Sequence, residues 1–163
     1  MENPSQPAEE RAHWYAGSRD IEIVDRLGFG VDGSVYRTTR MSAVKAHDRW
    51  RTYCTERDIY LRFQERRVRA IRGHTVPRLI DYEDSLCVLE MAVVKPPYVL
   101  DFAKATIDVA PDFSPEVMRE WLHRKSQDFG ANWPAVVAIM DELVHKYGVH
   151  LTDLNPGNIA FVP

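Results

Sequence analysis

The chain has 163 residues, enough for one ordinary domain or for two small lobes. Its hydrophobic share of 45% and charged share of 28% are typical of a folded globular protein and exclude a disordered or fibrous one. The net charge of -3 gives no bulk attraction to nucleic acid or to acidic membranes.

The cysteine content and the hydropathy pattern indicate a cytoplasmic protein. Two cysteines, Cys54 and Cys87, do not make a disulfide framework, although the sequence is compatible with a single disulfide bond between them. No apolar stretch approaches the roughly 20 residues that a membrane helix needs. The acidic start of the chain, with Glu9 and Glu10, does not resemble a signal peptide.

The N-terminal half of the chain reads as a short tail followed by a β-rich region. Residues 1–13 are polar and without periodicity, which predicts a mobile tail. Two short β-runs from Ile21 to Tyr36 flank three glycines and predict a hairpin with a glycine-rich turn. A third strand is expected over Met41–Ala46.

A helix and two more strands complete this region. The segment 49–67 places Tyr53, Glu56, Tyr60 and Phe63 on one helical face. Strands are expected over 78–82 and 86–91. The order is therefore five strands with one helix inserted after the third.

The C-terminal half is predicted to be mostly helical. Residues 94–110 read as a linker with a short helix inside it, and Ser114 caps a helix that opens with Pro115. A second helix runs over 134–147 and ends at Gly148, and a loop then leads to a strand over 158–162. The fold class is α+β, with an N-terminal sheet and a C-terminal helical part.

A glycine-rich motif lies in the predicted hairpin. Gly28, Gly30, Gly33 and Val35 fit the pattern G-x-G-x-x-G-x-V. Because the glycines lie between two strands, they argue against a dinucleotide-binding fold. Glycines there let backbone N–H groups approach phosphate oxygens, although an ordinary β-turn explains them as well.

A lysine and a glutamate form the second candidate group. Lys45 lies between Val44 and Ala46 in the third strand, where a buried ammonium needs a charged partner. Glu56, on the helix that follows, is the candidate partner, and the pair would hold the ammonium ready for phosphate oxygens. The alternative is an exposed edge-strand lysine and an unrelated surface acid.

The third and strongest motif is the loop from His150 to Asn158. It spaces Asp153 and Asn158 as D-x-x-x-x-N between a helix and a strand. An aspartate can accept a hydroxyl proton there, and an amide oxygen can bind Mg²⁺. The alternative is a loop that is rich in Asn, Asp and Pro for turn formation alone.

In this order and on these elements, the three motifs resemble the protein-kinase-like superfamily, which includes eukaryotic-type protein kinases and small-molecule kinases. The resemblance spans residues 21–162, with a kinase-like N-lobe over 14–93 and a reduced helical C-lobe over 94–163. The run Asn155-Pro156-Gly157-Asn158 is more similar to the small-molecule kinases than to typical protein kinases.

The resemblance implies ATP as the nucleotide, Mg²⁺ as its metal, and a role for each motif. The glycines would cover the phosphates, Lys45 would contact them with Glu56 as its brace, and Asp153 would be the catalytic base. Asn158 would be a metal ligand. The adenine edge would meet the backbone of a hinge formed by Glu90, Met91 and Ala92, next to Leu89 as gatekeeper.

The sequence also departs from the family pattern. Thr152 stands where protein kinases carry Arg, and Asp32 puts a negative charge into the glycine turn. The Asp-Phe-Gly segment, which carries the main Mg²⁺ ligand of the family, would follow Pro163. Three explanations stay open: a truncated longer protein, a reduced kinase-like module, or a second chain that completes the site.

Three functions therefore compete at this point. The first is a phosphotransferase with Asp153 as base, and the second is an inactive pseudokinase that binds nucleotide or acts as a scaffold. A non-nucleotide interaction domain would require all three motifs to be coincidental. The apolar run 159–162 further predicts a homodimer through the C-terminal strand, and the acceptor substrate is not readable.

Overall fold

The computed structural model describes residues 3–30, 32–94, 100–102 and 104–161. They form an α+β protein with a five-stranded antiparallel sheet and a helical C-terminal part. The chain divides into two compact units, residues 1–64 with 77–93 and residues 65–76 with 94–163.

The described residues form four α-helices and nine strands. The helices are α1 (Ala8–Ser18), α2 (Trp50–Glu65), α3 (Pro115–Phe129) and α4 (Trp133–Tyr147). The strands are β1 (Ile23–Gly30), β2 (Gly33–Thr38), β3 (Ser42–His47), β4 (Ala70–Ile71), β5 (His74–Thr75), β6 (Leu79–Glu83), β7 (Val88–Ala92), β8 (Thr106–Ile107) and β9 (Val149–His150).

The first unit is built on the sheet, whose strand order is β1-β2-β3-β7-β6. Strand β3 is central, and all six of its residues are buried. Val44 and Ala46 pack with Tyr15 of α1 in one apolar cluster. Because side chains alternate along a strand, Lys45 points to the opposite face. Both faces of β3 are therefore covered.

The first helix corrects the expectation of a mobile tail over residues 1–13. From Ala8 onward the chain is helical and packs against the sheet. Its buried face includes Arg11, which is 1% exposed and donates to the carbonyl oxygens of Leu86 at 2.7 Å and Gln6 at 3.0 Å. The guanidinium also meets Asp48 Oδ1 at 3.2 Å. Because this charged residue lies on the buried face of the helix, the apolar residues of that face do not show a clear helical periodicity in the sequence.

The second unit contains both C-terminal helices. The Ser114 hydroxyl accepts a hydrogen bond from the Val117 amide at 3.3 Å, which confirms the expected start of α3. Helix α4 ends at Gly148, whose φ of +66° favours glycine. Of the linker 94–110, the described residues form β8, while 95–99 and 103 lie outside the description.

The strand expected over 158–162 does not form in the described part of that segment. Only Ile159 makes an isolated bridge, to Leu100, and it is 1% exposed. Phe161 packs edge-on against His74 with ring centroids 4.9 Å apart, and His74 Nε2 lies 2.9 Å from the Ala160 carbonyl oxygen. The chain itself thus covers much of the apolar surface on which the predicted dimer depends.

Two other sequence expectations concern the membrane and the cysteines. In the described ranges, no helix combines the length and apolarity required to cross a membrane. Cys54 and Cys87 are both free thiols, so the disulfide bond with which the sequence is compatible is not formed.

Candidate functional site

The structure contains the ion pair between Lys45 and Glu56 that the sequence predicts. The Lys45 ammonium lies 2.7 Å from Glu56 Oε2 and 2.9 Å from Oε1. The two residues are 8% and 4% exposed. Since β3 lies between β2 and β7, the alternative of an exposed edge-strand lysine is wrong.

Helix α2 positions Glu56 by burying the face that its spacing predicts. Tyr53, Tyr60 and Phe63 are buried on that face together with Glu56. The Tyr53 hydroxyl donates to Asp84 Oδ1 at 2.6 Å. Burial and this bond both raise the pKa of Tyr53. The bond therefore ties α2 to the turn that follows β6.

His47 is a neighbour of this pair that sequence reasoning missed. It is fully buried, and its Nε2 lies 3.6 Å from Glu56 Oε2. Its ring meets Tyr53 edge-on, with centroids 5.8 Å apart. The available signal was its position two residues after Lys45, since alternate residues of a strand share a face.

The three glycines of the turn are not equivalent. Gly28 and Gly30 lie in β1, and a Cβ on either would meet no atom within 4 Å. Gly33 begins β2 with φ +137°, and a Cβ there would lie 2.1 Å from the Ala46 carbonyl oxygen. Only Gly33 is therefore required by packing, because β2 approaches β3 closely at that point.

The register of the sheet places further predicted residues beside the lysine. In the antiparallel ladders Val35 pairs with Lys45 on one side, and Leu89 pairs with it on the other. The Asp32 carbonyl accepts a hydrogen bond from the Asp48 amide at 3.2 Å, which joins the turn to the end of β3.

The predicted hinge residues lie inside β7. The Glu90 carboxylate is 1% exposed and accepts hydrogen bonds from the Tyr15 hydroxyl at 2.9 Å and the Ser42 hydroxyl at 2.5 Å. Burial is the main cause that raises the pKa of Tyr15, and its hydrogen bond to Glu90 raises that pKa further. The Ala92 amide donates to the Arg78 carbonyl at 2.9 Å. One backbone donor expected for adenine is thus already used by the residue that precedes β6.

In the second unit, the loop with Asp153 and Asn158 is held by its own side chains. The Asn158 side-chain amide donates to the Asp153 carbonyl at 2.7 Å. Asn155 Oδ1 accepts from the amides of Gly157 at 2.9 Å and Asn158 at 3.1 Å. Because Asn158 uses its nitrogen for this bond, its oxygen remains the atom able to face a cation.

Lys104 is a contact of Asp153 that the sequence did not reveal. The Lys104 ammonium lies 3.3 Å from Asp153 Oδ2, and the Thr152 hydroxyl donates to the Lys104 carbonyl oxygen. Lys104 is 49 positions away from Asp153, and no spacing rule joins a linker residue to a loop so distant.

The residues present do not make a Mg²⁺ site by themselves. Asn158 offers one oxygen, and across the described ranges no group of three or more His, Cys, Asp or Glu residues is arranged to hold a metal. Mg²⁺ prefers near-octahedral oxygen ligands and usually a carboxylate. We therefore assign no step of the chemistry to the metal.

Comparison with known proteins gives no family for the chain: neither a protein-family model nor a curated protein sequence matches it.

Proposed function

We propose that the chain is an ATP-binding protein of kinase-like fold, which transfers the γ-phosphate of ATP to a hydroxyl group with Asp153 as base. The observation that carries the proposal is the buried pair of Lys45, on the central strand, and Glu56, on α2. A buried ammonium held by a carboxylate is suited to bind phosphate oxygens, because the carboxylate keeps it charged and oriented.

The loop in the second unit supports the same proposal. The bond from Asn158 to the Asp153 carbonyl fixes the two side chains five residues apart in one tight turn. The Asp153 side chain is 37% exposed, so an acceptor molecule can reach it from solvent. The order of elements, in which a helix follows the third of five strands, is compatible with a kinase-like fold.

The proposed step is the transfer of the γ-phosphoryl group of ATP to the acceptor hydroxyl. The hydroxyl proton of the acceptor passes to the Asp153 carboxylate while the acceptor oxygen forms a bond to the γ-phosphorus. The bond from that phosphorus to the β,γ-bridging oxygen breaks, and its electron pair leaves with ADP. Lys45 offsets charge on the phosphates and keeps all its protons.

The alternative is an inactive pseudokinase that serves as a nucleotide-binding or scaffolding module. The bond from the Ala92 amide to Arg78 favours it, because that amide was expected to bind adenine. Under this alternative the Lys45–Glu56 pair is retained for nucleotide binding or for the packing of α2 against β3.

Calorimetric titration with ATP, with and without Mg²⁺, tests the binding half of the proposal. We expect saturable binding that is lost in Lys45→Met and kept in Lys146→Met, a surface lysine paired with Glu142. No binding in either condition would remove the nucleotide function. Binding without any ADP formation would favour the pseudokinase.

The catalytic half is tested by Asp153→Asn. General base catalysis contributes about 10²–10⁴-fold to rate, so we expect ADP formation to fall by that order while ATP affinity stays within about threefold. Unchanged turnover in Asp153→Asn would show that the carboxylate is not the base.

Two predictions from the sequence accompany this proposal. A cytoplasmic location remains a prediction from the cysteine content. The homodimer through residues 159–162 also remains a prediction, and light scattering decides it: a concentration-independent mass near the 18.8 kDa of one chain would overturn it.

A further inference from the structure

Residues 100–102 and 104–107 lie along both ends of the loop that carries Asp153. Strand β8 pairs with β9 just before the loop, through Thr106 with His150. After the loop, the Asp101 amide donates to the Asn158 carbonyl at 3.0 Å, and Leu100 bridges to Ile159. The described residues on either side of Lys104 are therefore both fixed to the loop.

The backbone of Lys104 has an unusual conformation. Its φ of +56° is in the left-handed region, which costs a non-glycine residue free energy unless contacts compensate. The Thr152 hydroxyl provides one such contact by donating to the Lys104 carbonyl oxygen. This arrangement brings the Lys104 ammonium to within 3.3 Å of Asp153 Oδ2.

The exposure of this pair argues that it is not a device for stability. The Lys104 and Asp153 side chains are 47% and 37% exposed, and ion pairs in such surroundings add little to folding. A strained backbone position that delivers a cation to one carboxylate points to a role in the chemistry of that carboxylate.

We propose that Lys104 is a positioning residue for phosphoryl transfer. Its ammonium fixes the Asp153 carboxylate and offsets the negative charge of that group toward the phosphoryl group that approaches it. The inference rests on the proposed function, in which two anions, the carboxylate and the γ-phosphate, must come close to one acceptor oxygen. A cation beside the carboxylate lowers the repulsion between them.

The ammonium takes no part in proton transfer. The proton of the acceptor hydroxyl goes to Asp153, and the acceptor oxygen forms a bond to the γ-phosphorus. The bond from that phosphorus to the β,γ-bridging oxygen breaks, and its electron pair leaves with ADP. Lys104 stays protonated throughout and acts only through its charge and its hydrogen bond to Asp153.

The test measures ADP release from ATP and Mg²⁺, with water as the acceptor, in the full chain and five variants. The variants are Lys104→Met, Lys104→Arg, Thr152→Val, Asp153→Asn and the matched control Lys146→Met. Lys146 is also an exposed lysine of the second unit, and its ammonium lies 3.0 Å from the Glu142 carboxylate. It belongs to α4 and is not part of the loop that carries Asp153.

We expect Lys104→Met to lower kcat by about 10- to 100-fold, with the KM for ATP changed less than about threefold. Lys104→Arg should recover most of that loss, because the cation is restored. Thr152→Val should lower kcat to a smaller extent, and Lys146→Met should match the wild type. All variants should melt within about 2 °C of the wild type.

Three results would overturn the inference while leaving the proposed function intact. Wild-type kcat in Lys104→Met beside an inactive Asp153→Asn would reduce the pair to a surface contact. A higher kcat in Lys104→Met would mean that the lysine restrains the base. A lower melting temperature in that variant, with KM rising as kcat falls, would mean a structural role. Absence of ADP release from the wild type would instead refute the catalytic function, and the role of Lys104 with it.

Discussion

The two units each carry an ion pair between a lysine and a carboxylate, and the two pairs differ in their surroundings. Lys45 and Glu56 are buried, joined through both carboxylate oxygens, and held by a strand and a helix. Lys104 and Asp153 are partly exposed, joined through one oxygen at 3.3 Å, and held by a linker and a loop.

This difference indicates what each pair can contribute. Water screens the exposed pair, so its folding contribution is small and its charges stay available to a ligand. The buried pair is desolvated, so each charge depends on the other and the loss of one partner is costly. We therefore expect variants of the buried Lys45–Glu56 pair to change stability, and variants of the exposed Lys104–Asp153 pair to change turnover.

The largest effect is expected for Glu56→Gln. The change leaves the Lys45 ammonium buried without its carboxylate, which costs roughly 3–5 kcal/mol when a buried pair is broken. Urea unfolding measures it. The double variant Lys45→Met with Glu56→Met should be less destabilised than Glu56→Gln alone, and additive losses would contradict the coupling.

A smaller loss is expected for Gly33→Ala, which tests how closely the strands around Lys45 are packed. The new Cβ would meet the Ala46 carbonyl oxygen at 2.1 Å in a backbone conformation that disfavours side chains. Strain and overpacking together suggest roughly 2–3 kcal/mol. Gly28→Ala is the matched control, since its Cβ would enter open space; an equal loss in both variants would contradict the packing argument.

Tyr15→Phe tests the opposite face of the same sheet. It removes a donor to the buried Glu90 carboxylate, at a cost of about 1–2 kcal/mol at neutral pH. Thermal unfolding compares it with Tyr82→Phe, a change at a more exposed ring.

The pH dependence of the same variant follows from the raised pKa of Tyr15. The folded chain holds the phenolic proton more tightly than the unfolded chain, in which the pKa of tyrosine is about 10. The stabilisation is fully present below that pH and is lost as pH rises above it. Tyr15→Phe should therefore lose less stability between pH 9 and 11 than the wild type, and an equal loss would assign the effect to other groups.

The smallest effect on stability is expected for Lys104→Met, at no more than about 0.5 kcal/mol. Differential scanning calorimetry against Lys146→Met measures it. A loss comparable to that of Glu56→Gln would remove the contrast between the two pairs.

The sequence predicts the sheet and its inserted helix because their signals are local. Alternating apolar residues mark the strands, and the spacing of Tyr53, Glu56, Tyr60 and Phe63 marks the buried face of α2. The Lys45–Glu56 pair was predictable for the same reason, since a lysine in a buried strand requires a partner.

The features that escaped prediction depend on contacts distant in the chain. Helix α1 buries Arg11 because the carbonyl of Leu86, 75 positions away, accepts its hydrogen bond. Ala12, Tyr15 and Ala16 at helical spacing were the available signal, but Arg11, which is buried on the same face, interrupts the apolar pattern. The Lys104–Asp153 contact likewise arises only when the linker lies against the loop.

The enclosure of β3 has a consequence for the timescale on which its amides open. The strand is paired on both edges and covered on both faces, so its N–H groups can exchange with deuterium only when much of the sheet opens. The residue proposed to bind phosphate is thus carried by a strand expected to be among the slowest to exchange. A ligand that binds Lys45 would meet a site already in place and would gain little further protection there.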